Sequence, residues 1–311
     1  MSKILVITSL PDPHIEIIKR HLPQGVSIQI FDPKELALSG EITISQKGFL
    51  KKLGEEIPLS IWYRKPKFLQ IEDLEGMSIP KDYFSSILSL HEEGYSLIFA
   101  TYPNCLWVSN PYAIKKASNK LTQLLTADNF GFKIPRTIFS SAPKDIEEFR
   151  SQVGDLVMKP LGLPYAKVNG VNTWLYATLI PSQQKMDYEG LGITPMIFQE
   201  RITKVFDLRV TVIGEQVFGC KIVSKDLDWR LSQSKADTIY TPFTLENSFA
   251  QKCIEMTRYL GLNFGAFDFV KSIEEEIFFL EVNPNGQWGF IEEKTGLPLS
   301  KAMAELLVCS P

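Results

Sequence analysis

The sequence predicts an α/β protein of two or three lobes, and three observations carry that prediction. The 311 residues are 44% hydrophobic and 22% charged, an ordinary composition for a folded chain long enough to hold more than one core. The N-terminal third alternates short apolar runs with amphipathic stretches, the rhythm of β-α-β units. The C-terminal third pairs apolar runs across short polar turns, the pattern of antiparallel hairpins.

Residues 3–8 form an apolar run suited to a buried strand, punctuated by Pro11 and Pro13. Residues 14–22 carry apolar side chains at 15, 17, 18 and 22, a helical spacing. Residues 26–31 are a second strand, stopped at Asp32-Pro33, and 60–63 a third, running into Arg64-Lys65-Pro66. Residues 82–100 read as helix. No GxGxxG follows the first strand, so the dinucleotide fingerprint is absent. Asn110-Pro111 makes a helix start, with the amide as cap and proline in the first turn. Ala113, Ala117, Leu121, Leu124 and Leu125 then predict one helix ending at Gly131.

Further strands are predicted at 156–159 and 196–200, with a glycine-bearing stretch, 162–172, between them. Residues 207–212 and 216–222 form a hairpin around Gly214-Glu215. Residues 224–241 are polar and are expected to be a long loop. A helix at 248–260, a strand pair at 264–270 and 277–283, and a helix at 300–308 close the chain. The expected domains are 1–110, 111–195 and 196–311.

A formal net charge of −3 gives no global basic field to draw nucleic acid or an anionic membrane. The cysteines at 105, 220, 253 and 309 are isolated, which excludes a CxxC zinc or dithiol motif. No apolar run approaches the roughly 18 residues of a membrane span, and the run in MSKILVITSL is too short for a signal peptide. A cytoplasmic protein with neither nucleic-acid nor membrane partners is expected. His14, His21 and His91 lie away from the candidate residues, so no histidine-based nucleophilic triad is expected.

The last strand pair holds the chemistry. With side chains alternating at a period of two, Phe279, Glu281 and Asn283 are expected on one face of their strand. Asp268 is expected on the facing strand. Two carboxylates and an amide oxygen are a hard, all-oxygen set suited to Mg²⁺. Their flanks, GAFDFV and IFFLEVNP, are too apolar for a freely exposed strand, and a buried carboxylate needs a partner.

Lys159 ends an apolar strand, and Lys120 lies in the expected 110–131 helix; either suits a phosphate oxygen. Taken singly, each also reads as a snorkelling surface lysine. The Gln199-Glu200-Arg201-Ile202 segment leaves a strand where its backbone could read an adenine edge. Asp207 and Arg209 share a strand face, and Lys221 lies on the neighbouring strand. Asp228-Trp229-Arg230 sits in the polar loop, as a grip on substrate carboxylates or as a loop anchored by tryptophan. Trp62 and Arg64 are core and rim of the first lobe, or part of the site.

The order Lys120, Lys159, Gln199-Glu200, Asp207-x-Arg209, Lys221, Asp268, Glu281-x-Asn283 resembles the ATP-grasp superfamily over residues 110–309. The N-terminal part resembles the Rossmann-like pre-ATP-grasp domain. IWYRKP, DLRVTV, DWR and NPNGQW with Ile291-Glu292 look like the RimK-like branch that matures graspetides of the microviridin type. The resemblance implies ATP and Mg²⁺ as cofactors. It implies activation of Asp or Glu side chains of a ribosomal precursor peptide, with leader and core, as acyl-phosphates. Ser, Thr or Lys side chains then close ω-ester or ω-amide rings.

In that frame Asp268, Glu281 and Asn283 hold the metal. Lys120 and Lys159 hold the α- and β-phosphates. The 199–202 segment reads adenine, with Glu200 or Asp207 near the ribose. Arg209 stabilises the transferred phosphoryl, assisted by Lys221, although many relatives carry an arginine near that last position. Residues 162–172 form a lid, and a homodimer is expected. The alternatives are an ATP-grasp ligase joining free amino acids or extending a protein tail, and a nucleotide-binding module without ligase activity.

Overall fold

The N-terminal apolar runs become β1 (Ser2–Ile7), β2 (Val26–Phe31), β3 (Ser60–Tyr63) and β4 (Leu106–Val108). They pair in the order β2-β1-β3-β4, every pair parallel. The strands are covered on both faces, which is why they read as unbroken apolar runs: Ile4 and Val6 enter one core, Leu5 and Ile7 another. Around them lie α1 (Pro13–Lys19), α2 (Pro33–Ser39), α3 (Ile71–Leu74) and α4 (Phe84–Thr101). The computed structural model describes residues 2–40, 43–44, 57–162, 165–168, 171–174, 176–189, 193–232 and 237–309. No helix among them is long and apolar enough to cross a membrane.

The expected single helix over 110–131 is two. Asn110 caps α5 (Pro111–Ala117), but Asn119 then caps α6 (Lys120–Asn129), its side chain accepting from Thr122 N at 2.9 Å. An asparagine side chain competes for the backbone N–H that would continue the first helix, and the chain breaks there. Lys120 thereby becomes the first residue of a helix.

The middle sheet is antiparallel, β5 (Thr137–Ser140), β6 (Leu156–Lys159), β9 (Thr178–Ile180) and β10 (Met196–Glu200), in the order β5-β10-β6-β9. Helix α7 (Pro143–Val153) covers it through Ile146 and Phe149. The expected boundary at 195/196 assigns β10 to the last domain, yet β10 hydrogen-bonds between β5 and β6. Of the expected lid, β7 (Tyr165–Val168) and β8 (Val171–Trp174) pair as a small hairpin; residues 163, 164, 169 and 170 lie outside the described residues.

The C-terminal sheet has the order β13-β12-β11-β14-β15, all antiparallel. Its strands are β11 (Lys204–Ile213), β12 (Gln216–Val223), β13 (Ile239–Phe243), β14 (Phe264–Ser272) and β15 (Ile277–Asn283). Gly214 makes the β11–β12 turn at φ +57°, which an L side chain rarely adopts. The expected long loop over 224–241 is corrected in part: its end, from Ile239, is the start of β13.

One face of this sheet carries Leu208, Val210, Val212, Phe267, Phe269 and Phe279 under α8 (Asn247–Tyr259). The other packs Ile213, Phe264 and Ala266 against α9 (Gly289–Thr295), α10 (Leu299–Val308) and the N-terminal lobe. Ile4, Trp62 and Val108 share that core with Trp288 and Met303. The N-terminal lobe is thus joined to the last sheet by a common apolar core.

Candidate active site

β14 and β15 position the acidic residues. Asp268 pairs with Glu281 and Phe269 with Phe279, so Leu280 is an extra residue in β15. This bulge corrects the expected face: Phe279 points into the aromatic core with Phe267 and Phe269, whereas Glu281 and Asn283 point the other way. Asp268, Glu281 and Asn283 line one cavity with Lys120, Lys159, Gln199, Ile202, Asp207, Asp228 and Arg230. That cavity lies between the middle and last sheets. Val157, Ile197, Val270 and Leu280 form its apolar walls.

Asn283 Nδ2 donates to Asp268 Oδ2 and Glu281 Oε1, each at 3.2 Å. The amide N–H₂ group therefore bridges the carboxylates as a small cation would. Rotation about χ2 exchanges its nitrogen and oxygen, presenting three oxygens to one point. Asp268 Oδ1 is buried with no hydrogen-bond partner. An orphaned carboxylate oxygen beside a second carboxylate fits a hard divalent cation. No three His, Cys, Asp or Glu side chains gather as a metal site among the described residues; the fitting set here is two carboxylates and an amide.

The two carboxyls differ in electrostatics. Burial pushes Asp268 up, against the pull of Arg209. Burial also opposes the charge on Glu281, but Lys120 and Arg230 outweigh it and hold this carboxyl well below the usual range. Lys120 Nζ donates to Glu281 Oε2 at 2.6 Å and Arg230 Nη1 to Oε1 at 3.4 Å. Arg230 is itself gripped by Asp228, through Nε at 2.8 Å and Nη2 at 2.7 Å. Trp229, between them in sequence, is buried against Phe290. The DWR segment is therefore both an anchored turn and a contributor to the cavity.

Other expectations change. Arg209 is 4% exposed, donates to Asp268 Oδ2 at 2.8 Å, and does not line the cavity. Lys221 pairs in register with Leu208, which puts it on the sheet face opposite Arg209; its ammonium lies 4.7 Å from the Phe206 ring centroid. Glu200 turns away from Gln199, by strand alternation, and accepts from Arg136 N at 2.8 Å. Arg201 pairs with Asp155 at 3.0 Å. The N–H groups of Glu200 and Arg201 bond to Arg136 O and Asp155 O, so the two ends of this segment, Gln199 and Ile202, are the parts that line the cavity.

Two partners escaped the sequence reading. Gln199 Oε1 accepts from Lys159 Nζ at 2.7 Å, a contact made when β10 lies beside β6. Lys204 lines the cavity and donates to Asp207 Oδ2 at 2.5 Å; even so, burial carries the Asp207 carboxyl up to about 6. The three-residue spacing of Lys204 and Asp207 was visible, but strand alternation argues against such a pair. The bulge between Lys204 and Phe206 removes the objection.

Burial lowers the Lys159 ammonium to about 8. Below that pH the side chain is charged, and above it the charge and its attraction for an anion are lost. On the expectation that Lys159 holds a phosphate, ADP affinity falls by about tenfold between pH 7 and 9.5, the size of one charge-assisted hydrogen bond. Lys159→Arg, which stays charged, should flatten the profile. Calorimetric titration across that range reads both, and an equally steep decline in the arginine variant would remove Lys159 as its cause.

The model of the RimK-like ATP-grasp domain matches residues 117–307. No curated protein is similar enough in sequence to match. The fold is shared over full length with a Chryseobacterium gregarium RiPP-associated ATP-grasp ligase in complex with ADP and a leader and core peptide. That likeness has a TM-score of 0.84 and 23% identity, covering 99% of this chain and 96% of the other. ATP-grasp ligase PsnB, complexed with minimal precursor, Mg and ADP, superposes with a TM-score of 0.80 at 20% identity, covering 98% and 96%. Macrocyclase MdnB from Microcystis aeruginosa MRC is 26% identical, with a TM-score of 0.76 and 99% of each chain covered. The domain match takes in both halves of the cavity, from Lys120 to Asn283. The chain belongs to the RimK-like ATP-grasp family.

Proposed function

We propose that the chain is an ADP-forming ligase that activates Asp or Glu side chains of a ribosomal precursor peptide and closes ω-ester or ω-amide rings. One observation carries the ligase chemistry. Glu281 is flanked by Lys120 and Arg230 in the same cavity as Asp268, Asn283 and Lys159. Phosphoryl transfer asks a protein mainly for positioning and charge neutralisation, and this set supplies both. The peptide substrate class rests on the full-length likeness to ligases that hold leader and core peptides.

Asp268, Glu281 and Asn283 would hold Mg²⁺, which when bound neutralises charge on the β- and γ-phosphates. Each cavity cation has an internal partner: Lys120 has Glu281, Lys159 has Gln199, Lys204 has Asp207 and Arg230 has Asp228. Lys120, which now donates to Glu281, would be free to take phosphate oxygens where that carboxylate holds Mg²⁺ instead. Lys159 binds the same chain of phosphates. Asp207 and Ile202 line the nucleoside part. Arg230, aimed by Asp228, takes the transferred phosphoryl, the part first given to Arg209 and Lys221.

A substrate carboxylate oxygen attacks the γ-phosphorus, the β–γ bridging bond breaks, and ADP leaves. A Ser or Thr hydroxyl, or a Lys amine, of the same peptide then attacks the acyl carbon and phosphate departs. Because both groups belong to one peptide, the second step is effectively unimolecular. Incubating the chain with ATP, Mg²⁺ and a precursor encoded beside it should remove the mass of one water per ring. Joining of two molecules would instead favour ligation of free amino acids or a protein tail. ATP left unconsumed would leave only the nucleotide-binding module.

A further inference from the structure

Behind the cavity lies a second polar cluster, at the seam where the N-terminal lobe meets the last sheet. Arg64 follows β3 and is 1% exposed. Its Nη1 donates to Asn285 O at 3.3 Å and to Asn285 Oδ1 at 3.4 Å, and its Nη2 donates to Gln287 Oε1. Asp12 Oδ2 lies 3.5 Å from its Nε. His14 Nε2 accepts from Gly289 N at 3.1 Å, which leaves the ring proton on Nδ1 to donate to Asp12 Oδ1 at 2.9 Å. Two side chains of the N-terminal lobe, Arg64 and His14, thus hold the turn over 285–289, and Asp12 orients both.

The turn in its own right holds a cavity residue's partner. Gln287 O accepts from Arg209 Nη2 at 3.2 Å, and Arg209 Nη1 donates to Asp268 Oδ2 at 2.8 Å. A Cβ on Gly286 would stand 2.7 Å from Arg209 Nη2 and 2.7 Å from Ala266 Cβ. The turn is pressed directly onto the guanidinium, with no slack for a side chain. Asp12, Arg64, the 285–287 turn, Arg209 and Asp268 therefore form one continuous chain of contacts from the first lobe to the acidic pair.

A buried arginine is a costly way to stabilise a core; an apolar side chain of similar volume does as well or better. A guanidinium does what an apolar side chain cannot: it fixes several acceptors at once in a planar fork. Here the acceptors are the backbone and side chains of the turn that aims Arg209. We propose that Arg64 is a positioning residue for the acidic pair, setting the orientation of Asp268 through the 285–287 turn and Arg209. The inference rests on the nucleotide reading above, since it assigns the pair to Mg²⁺-linked nucleotide binding.

The test is calorimetric titration with ADP, with and without Mg²⁺, on the full chain. Wild type should bind ADP more tightly when Mg²⁺ is present. Arg64→Met should lose about tenfold of that gain, the usual size of an outer-shell effect, while Mg²⁺-free affinity stays within about twofold. Gln287→Leu alters an exposed side chain, keeps the carbonyl that meets Arg209, and should lose about threefold of the gain, less than Arg64→Met because one acceptor of the fork goes. Hydrogen exchange at 285–289 should rise in both variants. A merely structural arginine would loosen the turn and leave the Mg²⁺ gain unchanged, or lower both affinities together; either result overturns the inference. Should Arg64→Met not fold, Gln287→Leu decides by the same criterion. A wild type that shows no Mg²⁺ gain fails the nucleotide reading itself, and the inference falls with it.

Discussion

Glu281→Gln is expected to lower ADP formation, with the precursor peptide as acceptor, by at least about 100-fold, since outer-shell partners alone are worth 10 to 100. Glutamine keeps the shape and one acceptor oxygen but removes the charge. Lys120 and Arg230, now 2.6 and 3.4 Å from Glu281 oxygens, would face a neutral amide. The cavity becomes more cationic, so affinity for Mg²⁺-free ADP should hold or rise while the Mg²⁺-dependent part disappears. The loss should therefore appear mainly in kcat, with the KM for ATP rising by no more than the Mg²⁺-dependent gain that is lost. Circular dichroism guards against unfolding. A folded variant turning over within a few-fold of wild type would sink the assignment of this carboxylate.

Trp288→Ala is expected to destabilise the fold by about 3–5 kcal/mol, the range for emptying a large aromatic from a core. Trp288 is 1% exposed and meets the His14 ring edge-on at 4.7 Å. The core it belongs to draws on distant parts of the chain: Ile4, Trp62 and Val108 from the first lobe, and Ala266, Ile291 and Met303 from the last. The cavity it leaves would lie at the seam between the first lobe and the last sheet. Urea unfolding reads the loss, and Tyr259→Ala, at a site 67% exposed, should move the midpoint hardly at all. Equal stability of the two variants would mean that the shared core contributes little to joining the lobes.

The parts of the site legible in the sequence are those that a single strand specifies. Glu281 and Asn283 are two residues apart, and a period of two keeps them together whatever the strand packs against. The apolar flanks of Asp268 announce its burial. Lys120 and Lys159 are legible only in their order along the chain, because nothing local separates a lysine that lines a cavity from a solvated one. The parts that failed are those set between strands. Phe279 shares the parity of Glu281, but the bulge at Leu280 reverses it. Lys221 is one residue from Cys220, which pairs with Arg209, and that single step puts it on the other face.

By itself the sequence determined the α/β class and many of the strands, and it singled out Asp268 and Glu281 for their apolar flanks, because apolar periodicity and side-chain chemistry are properties of neighbouring residues. Only the tertiary structure decided which cations meet that set. Arg230 enters the cavity from a turn far from β15 in sequence, and Arg209 is turned behind Asp268 by the carbonyl of Gln287. Only the tertiary structure gave Gln287-Trp288 a place, between Arg64 and the core shared by the lobes. The physical reason is register and docking: both follow from summed packing across distant segments, and no short window of sequence contains that sum.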